Sequence, residues 1–410
     1  MKTRAKYSGV EEDSGAQGNY FPARMPLDMK QRSASGIFLT FLRLGCTSFG
    51  GPVAHLGYYR EELVRRRQWL DEALFAEIVA FCQMIPGPGS SQTGFTIGLV
   101  LAGWRGALAA WTGFTLPSAV LMLGFALGQS VLRGPVSERV IHGLQLVAVA
   151  VVAQAVLGMR RVLAPDRTRG LIAVAAAAMV VLIRWSGSQV AAIAVGGLVG
   201  WIVLHDQARP DNVGFSVAVP RRAGLTALCL FGALLVMPLG VFGDIYRTGA
   251  LVFGGGHVVL PLLESVTVAK GLVDERTFLA GYGAAQAIPG PMFSFAAYLG
   301  AVLKGPPNGI TGGLLALVAL FLPGLLLVTG LLPFWAVLRN RKGLRRALAG
   351  VNASVVGILG AALYRPVWTG SVHSVQDFMV VLAAFLALSA AKLPPWSVVF
   401  TVAILSLVFR

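Results

Sequence analysis

The chain repeats one pattern twice, and both copies lie inside apolar sequence where such residues are costly. The first copy reads Arg43-x-Gly45-x3-Phe49-Gly50-Gly51, then Asp71-Glu72-x2-Phe75-x7-Gln83-x-Ile85-Pro86-Gly87-Pro88. The second reads Arg247-x-Gly249-x3-Phe253-Gly254-Gly255, then Asp274-Glu275-x2-Phe278-x7-Gln286-x-Ile288-Pro289-Gly290-Pro291. The offset is 204 residues for the first block and 203 for the second, so thirteen identities stay in register across a gap of one residue. A duplicated half with helix breakers inside membrane-type sequence is the mark of a secondary transporter, whose site is built from broken helices at the repeat interface.

Of the 410 residues, 56% are hydrophobic and 13% charged, and mean hydropathy is +0.72. A soluble domain carries roughly 25% charged residues, so the expected fold is an all-α polytopic membrane protein. Apolar runs of spanning length lie near 36–58, 105–132, 138–158, 188–204, 223–242, 309–334 and 344–364, with shorter ones near 170–184, 245–264, 376–391 and 394–409. Residues 1–35 mix charges with Gly, Ser and Pro and are expected to form a disordered cytoplasmic tail. The remainder divides into a first repeat at 36–204, a linker with one connecting span at 205–243, and a second repeat at 244–410.

Each repeat has the same order: a glycine-interrupted span, a charged connector, two half-length pieces joined at Pro-Gly-Pro, then ordinary spans. Laid end to end, the pieces 75–85 and 90–103 make one broken span. That count gives thirteen passes, and the odd linker turns the second half upside down. With the N-terminus inside, Arg160, Arg161, Arg167, Arg169, Arg221, Arg222 and the run from Arg339 to Arg346 fall inside, as the positive-inside rule requires. Arg65-Arg66-Arg67 falls outside. Either that connector is an interfacial helix, or the Pro-Gly-Pro pieces are re-entrant hairpins and the count drops.

The formal charge of +16 comes from 34 basic against 18 acidic residues, 27 of the basic ones arginines. Loop arginines that set orientation account for it, and no nucleic-acid partner is expected. Cys46, Cys82 and Cys229 lack CxxC spacing and read as packing residues, so neither a disulfide framework nor a metal is expected. A phosphate-binding GxxxxGK[ST] loop, an HExxH pair and a nucleophile elbow are all missing from the sequence, which argues against ATP hydrolysis within this chain and against an enzyme, and no cofactor is expected.

The candidate site follows from the breaks. Pro86, Gly87 and Pro88, like Pro289, Gly290 and Pro291, strip backbone partners at membrane depth, which is tolerated only where protein or a water-filled cavity replaces them. A helix starting at Gly89-Ser90-Ser91-Gln92, or near Ser294 in the second copy, would offer free N–H groups and hydroxyls to an anion. Gln83 and Gln286 stand three residues before each break. Gly50-Gly51 and Gly254-Gly255 interrupt the preceding spans, with close helix packing as the other reading. Arg43 lies within its apolar run and must snorkel or face a polar cavity, whereas Arg247, beside Asp244, has a surface salt bridge as its alternative. His55 and His257 follow the glycine breaks at non-equivalent positions. Glu77 is an interfacial carboxylate or, if buried, a carrier for a coupling proton; its repeat partner is Ala280.

On these residues the chain resembles the chromate ion transporter family in its long two-domain form. The match runs through Phe49-Gly50-Gly51-Pro52-Val53-Ala54-His55 and Gln83-Met84-Ile85-Pro86-Gly87-Pro88-Gly89-Ser90-Ser91-Gln92. It continues through Phe253 to Pro261, Gly281 to Gln286, and Pro289-Gly290-Pro291. The resemblance implies a multi-pass bacterial inner-membrane protein that exports chromate and also recognises sulfate, of equal charge and shape. The residues alone reach a tetrahedral oxyanion and the lipid bilayer as partners, with a homodimer as an allowed assembly. An anion channel and a membrane-embedded enzyme are the rival classes. In the second copy Met292-Phe293 stands where the first has Gly89-Ser90, so the two half-sites need not contribute equally.

Overall fold

A proline has no N–H and a glycine at positive φ cannot continue a right-handed helix, so each Pro-Gly-Pro ends one helix and redirects the chain. The computed structural model describes residues 32–131, 135–183, 187–205, 219–253, 256–338 and 340–408, whose regular structure is helical, with no strand among the described residues. Residues 1–31 of the tail expected over 1–35, and the glycines Gly254 and Gly255, lie outside them, whereas Ala34 and Ser35 of that expected tail are already helical. Ser33 caps the first helix through Gly36 N, so ordered chain begins slightly ahead of the apolar run.

The first repeat contains α1 (Ala34–Thr47), α2 (Gly51–Tyr59), α3 (Glu72–Met84), α4 (Gly89–Val131), α5 (Pro135–Leu163), α6 (Arg167–Leu182) and α7 (Ser188–Val203). The linker helix is α8 (Arg221–Val236). The second repeat follows the same plan: α9 (Gly240–Leu251), α10 (Val259–Thr267), α11 (Glu275–Ala285), α12 (Phe295–Ala301), α13 (Gly309–Leu331), the short α14 (Trp335–Leu338), α15 (Lys342–Ala362), α16 (Val375–Ser389) and α17 (Pro395–Val408). Helix α4 is sharply kinked at Ala102 and Gly103, which separates a limb at 89–101 from a limb at 104–131.

The Pro-Gly-Pro pieces do not lie end to end. Cys82 of α3 sits 3.5 Å from Thr96 of α4, although the two would be about 20 Å apart along a continuous helix at 1.5 Å per residue. In the second repeat Tyr298 of α12 donates to Thr277 O of α11 at 3.0 Å, and the Phe278 and Phe295 rings are 5.3 Å apart. Both pairs are hairpins that return to the face they came from. Helices α1 and α2 fold back in the same way: the Phe41 and Tyr59 rings meet at 5.4 Å, and Arg32 lies over Trp69. The helices therefore divide differently from the thirteen-pass count, which joined each pair into one span. Four described helices are long and apolar enough to cross a bilayer: Gly89–Gln129, Glu138–Leu163, Gly309–Leu338 and Lys342–Trp368, two in each repeat.

The repeats are inverted. The second limb of α4 and its counterpart α13 cross antiparallel, with Trp111 against Phe321 at 5.7 Å and Leu123 against Gly313. Equivalent helices that run in opposite directions relate by a two-fold axis in the membrane plane. The outer helices are exchanged between halves: α15 packs on α6 and α7, while α5 packs on α16 and α17. Gly196 and Gly350 let α7 and α15 touch backbone to backbone, the small-residue contact that membrane helices use where apolar burial gives no advantage over lipid. His142 Nε2 donates to the buried Asp377 at 2.7 Å, joining α5 to α16. Asp377 in turn accepts from His373 N while Ser374 accepts from Asp377 N, a reciprocal cap on α16.

The hairpins also resolve the misplaced arginines. The connector carrying Arg65, Arg66 and Arg67 returns to the face where α1 begins, because Trp69 meets both Arg32 and Arg67 there. The start of α8 at Arg221 and Arg222 reaches the same face, since Gly224 packs on Pro333 at the end of α13. So do Arg341, Lys342, Arg345 and Arg346, with Gly343 on Trp201 at the end of α7. These three basic clusters thus share one face.

We expect cysteines placed at Ala73 and Trp104, in a background lacking Cys46, Cys82 and Cys229, to react with an impermeant maleimide from the same side of the membrane. A cysteine at Ala269 should react from the other side. Opposite-side labelling of the first two positions would restore a continuous broken span.

Candidate functional site

An amide freed by a helix break inside a membrane protein must find an acceptor within the protein, and here each half supplies it to the other. Gly87 N donates to Val252 O at 2.7 Å, and Gly290 N donates to Ser48 O at 2.9 Å. Gly87 and Gly290 are repeat equivalents, as are Ser48 and Val252, so the two bonds form a symmetric pair. They tie the tip of each Pro-Gly-Pro hairpin to the glycine break of the opposite repeat. The crossing helices complete the junction with their own internal prolines, Pro117 and Pro323. Gly324 lies against Gly87 and Pro88, while Ser118 lies against Gly290.

Around the first tip the polar groups are dense. Gln92 is fully buried, and its Nε2 donates to Pro86 O at 2.8 Å and to Gly324 O at 3.2 Å, bracing the hairpin against α13. Ser90 Oγ lies 3.2 Å from His55 Nδ1. The first bond of α4 runs from Gln92 N to Pro88 O, which leaves the N–H groups of Gly89, Ser90 and Ser91 with no acceptor in their own helix. Ser48 Oγ, Tyr59 Oη, Ser91 Oγ, Gln92 Oε1 and Thr115 Oγ1 are buried and without a protein partner among the described residues. Buried polar groups in native proteins are nearly always satisfied, so a concentration of open ones around one break marks a place built for a polar guest.

The second tip is built differently. A short 3-10 turn, Met292–Ser294, opens into α12, and Phe293 and Phe295 occupy the places of Ser90 and Gln92. Phe293 packs on Phe321 at 5.8 Å, and Phe295 stacks near Tyr298. Ser294 is already paired with Ser118 at 2.6 Å. His257 Nδ1 meets Tyr282 Oη at 2.8 Å, away from the tip serine, and Gln286 reaches back to Tyr282 O at 3.4 Å.

The two arginines differ as well. Arg247 donates to Asp244 at 2.8 Å and to Leu235 O and Met237 O at the end of α8, both at 2.9 Å, and Asp244 also takes Lys270. That engagement fastens the linker helix to α9. Arg43 projects from the exposed side of α1 with Leu39 and Cys46 and has no ion-pair partner among the described residues. Gln83 is likewise exposed. Glu77 is buried inside the protein: it is 2% exposed and accepts from Trp335 Nε1 of α14 at 2.7 Å, across the two repeats.

Ser48, Tyr59, Thr115, Ser118 and Gly324 belong to this junction without having been singled out in the sequence. The signal for the last two was present: Leu116-Pro117-Ser118 and Leu322-Pro323-Gly324 repeat at an offset of 206 residues.

A family model described as chromate transporter matches residues 35–201 and again 239–407, once for each repeat. The chain belongs to the chromate transporter family. A chromate transport protein of Pseudomonas aeruginosa is 29% identical over 341 residues, 79% of each chain. One from Cupriavidus metallidurans is 28% identical, covering 80% of this chain and 81% of its own. An uncharacterised transporter of Methanocaldococcus jannaschii is 26% identical over 87% of this chain and 90% of its own. No solved structure matches the chain.

Gly87 has φ of +128°, and a Cβ there would lie 3.0 Å from Gly324 Cα, whereas Gly51 at φ +80° has open space. Gly51→Ala should cost ~1–2 kcal/mol of strain alone. Gly87→Ala should cost more, because the hairpin tip must also move off α13. Thermal unfolding in detergent checks the ranking; equal losses would remove the steric contact from the account.

Proposed function

We propose that the protein is a secondary transporter that expels chromate across the plasma membrane, with the oxyanion held at the tip of the first Pro-Gly-Pro hairpin. The observation that carries this reading is the meeting of four backbone breaks at mid-membrane, with buried, unpartnered side chains gathered on one of them. Free helix N–H groups, hydroxyls and an imidazole suit a tetrahedral anion without a fixed cation. Chromate as that anion follows from family membership and from the relatives named as chromate transport proteins. The face carrying the basic clusters is assigned to the cytoplasm by the positive-inside rule, which puts the N-terminus inside. No enzymatic step enters this reading.

Two inverted sets of hairpins, entering from opposite faces and touching at their tips, suit alternating access. Opening one face would draw a single tip away from the facing glycine break while the other pair holds. Because equivalent bonds close both sides, the two states would differ little in backbone satisfaction. Glu77 is the proposed carrier of the coupling proton: it is a buried intramembrane carboxylate that bridges the halves through Trp335.

Everted vesicles should take up labelled chromate against its gradient, with sulfate as the competitor that reports how the site reads charge and shape. Uptake no faster or higher than passive equilibration would point to a channel. At matched insertion, Ser91→Ala should weaken apparent affinity by about tenfold or more, the value of one hydrogen bond to a charged group. Ser294→Ala, whose hydroxyl is already paired, should do less. The reverse ranking would move the anion to the second half.

Glu77→Gln should abolish uptake driven by a pH gradient and spare chromate exchange between equal concentrations on both sides. Gradient-driven uptake at the wild-type rate would release Glu77 from coupling.

A further inference from the structure

Each crossing helix holds the hairpin of the opposite repeat at two levels. At the tips, Gly324 O of α13 accepts from Gln92 Nε2 at 3.2 Å, and Ser118 of α4 lies 2.6 Å from Ser294. Eleven residues further along each crossing helix, a second bond reaches the base of the same hairpin. Trp335 Nε1, in α14 at the end of α13, donates to Glu77 of α3 at 2.7 Å, and Gln129 Oε1 of α4 accepts from Tyr298 Oη of α12 at 2.6 Å. Eleven residues make about three helical turns, so tip and base contacts lie on one side of the crossing helix, about 16 Å apart. Gln129 and Trp335 are repeat equivalents. The offset of 206 that relates Pro117 to Pro323 also carries Leu121 to Leu327, Gly124 to Gly330 and Val131 to Val337. The two base bonds therefore form a second symmetric pair, outward of the pair at the tips.

The arms of each hairpin are tied to one another, Cys82 to Thr96 in the first and Tyr298 to Thr277 O in the second. A hairpin braced in this way moves as a unit, and its bonds to the crossing helix are the ones that part. We infer that Glu77 with Trp335 and Gln129 with Tyr298 are the latches of two gates. The first holds the α3–α4 hairpin shut on the face carrying the basic clusters, and the second holds the α11–α12 hairpin shut on the opposite face. The inference rests on the alternating-access reading given above and names the residues that govern it.

The latches differ in strength. Glu77 is 2% and Trp335 4% exposed, and a hydrogen bond to a carboxylate is stronger than one between neutral groups. Tyr298 has one proton and two acceptors within reach, Gln129 Oε1 and, at 3.0 Å, Thr277 O. When the second hairpin swings away, the hydroxyl turns to Thr277 O within its own hairpin, so no donor is stranded. Gln129 is only partly buried. The latch on the basic face is thus the costlier to open.

Two reporter cysteines read the gates in the full-length protein, with Cys46 and Cys229 replaced by Ala and Cys82 by Ser, which keeps a partner for Thr96. Ser48 supplies the carbonyl that holds the α11–α12 tip, Val252 the carbonyl that holds the α3–α4 tip, and both residues are 0% exposed. Ser48→Cys becomes reachable when the α11–α12 tip withdraws, and Val252→Cys when the α3–α4 tip withdraws. Impermeant maleimide is applied to right-side-out and everted vesicles, and each latch variant is compared with its reporter parent at matched insertion.

Gln129→Leu should raise labelling of Ser48→Cys about fivefold, the value of one neutral hydrogen bond, from the face opposite the basic clusters only, and leave Val252→Cys as it was. Trp335→Phe should raise labelling of Val252→Cys about tenfold or more, from the basic face only, and leave Ser48→Cys as it was. Gln129→Glu keeps an acceptor and should label like its parent. Tyr298→Phe removes the same bond from the other side and should match Gln129→Leu, while Glu77→Gln, an acceptor without its charge, should act as Trp335→Phe does but more weakly. Rises at both reporters, or from both faces, would show general loosening and overturn the latches. Labelling of the parents that no variant changes would overturn them too and leave alternating access standing. Reporters that never label, in parent or variant, would mean that the hairpins stay shut, and alternating access would fall together with the latches. The labelling uses no substrate, so its outcome is separate from the identity of the anion.

Discussion

A backbone amide inside a bilayer has no water to fall back on, and the structure depends on how the amides freed at the two Pro-Gly-Pro breaks are satisfied. Gly87 N and Gly290 N find their acceptors in the opposite repeat, at Val252 O and Ser48 O. Neither half can close its own break this way, so each repeat is completed by the other. The outer helices follow the same logic, with α5 and α15 each packed on the last two helices of the partner repeat. Association here owes little to apolar burial, since lipid competes on equal terms; close glycine contacts and buried polar bonds such as His142 to Asp377 hold the halves together instead.

On a symmetric backbone the side chains are not symmetric. Ser90 and Gln92 at one tip become Phe293 and Phe295 at the other, where an aromatic cluster fills the space. The arginine pair shows why duplicated residues need not share a role. Helix α8 precedes α9 and gives Arg247 two carbonyls to cap, but no described helix stands in that position before α1. Asp244, which completes the set, has Thr40 as its counterpart. The same residue in the same register is therefore anchored in one half and, among the described residues, without an ion-pair partner in the other.

Re-entrant hairpins also remove a conflict in the charge distribution. A continuous span through Pro86-Gly87-Pro88 would carry Arg65, Arg66 and Arg67 to the face opposite the other basic clusters. The reversal at Gly87 keeps them together, and local ion pairs with Glu61 and Glu62 hold the connector in order. These exposed pairs contribute little to stability. Their consequence is orientation, because a protein with its cations on one face inserts in one sense.

By itself the sequence determined the all-helical membrane class, the two repeats, the inversion through an odd linker, and the four breaks with the polar run at Ser90, Ser91 and Gln92. Those features are local or periodic: apolar runs have a length, and a duplication has an offset. The direction of the chain after each break was decided only by tertiary structure, because Pro-Gly-Pro is compatible with a kink or a reversal and the positive φ of Gly87 is held by Gly324 and Val252 from the other half. The partners of Glu77 and Ser294, and the carbonyls that Arg247 caps beyond its salt bridge to Asp244, were hidden for the same reason. Trp335, Leu235 and Ser118 are distant in the chain or on another helix, and no spacing rule connects them.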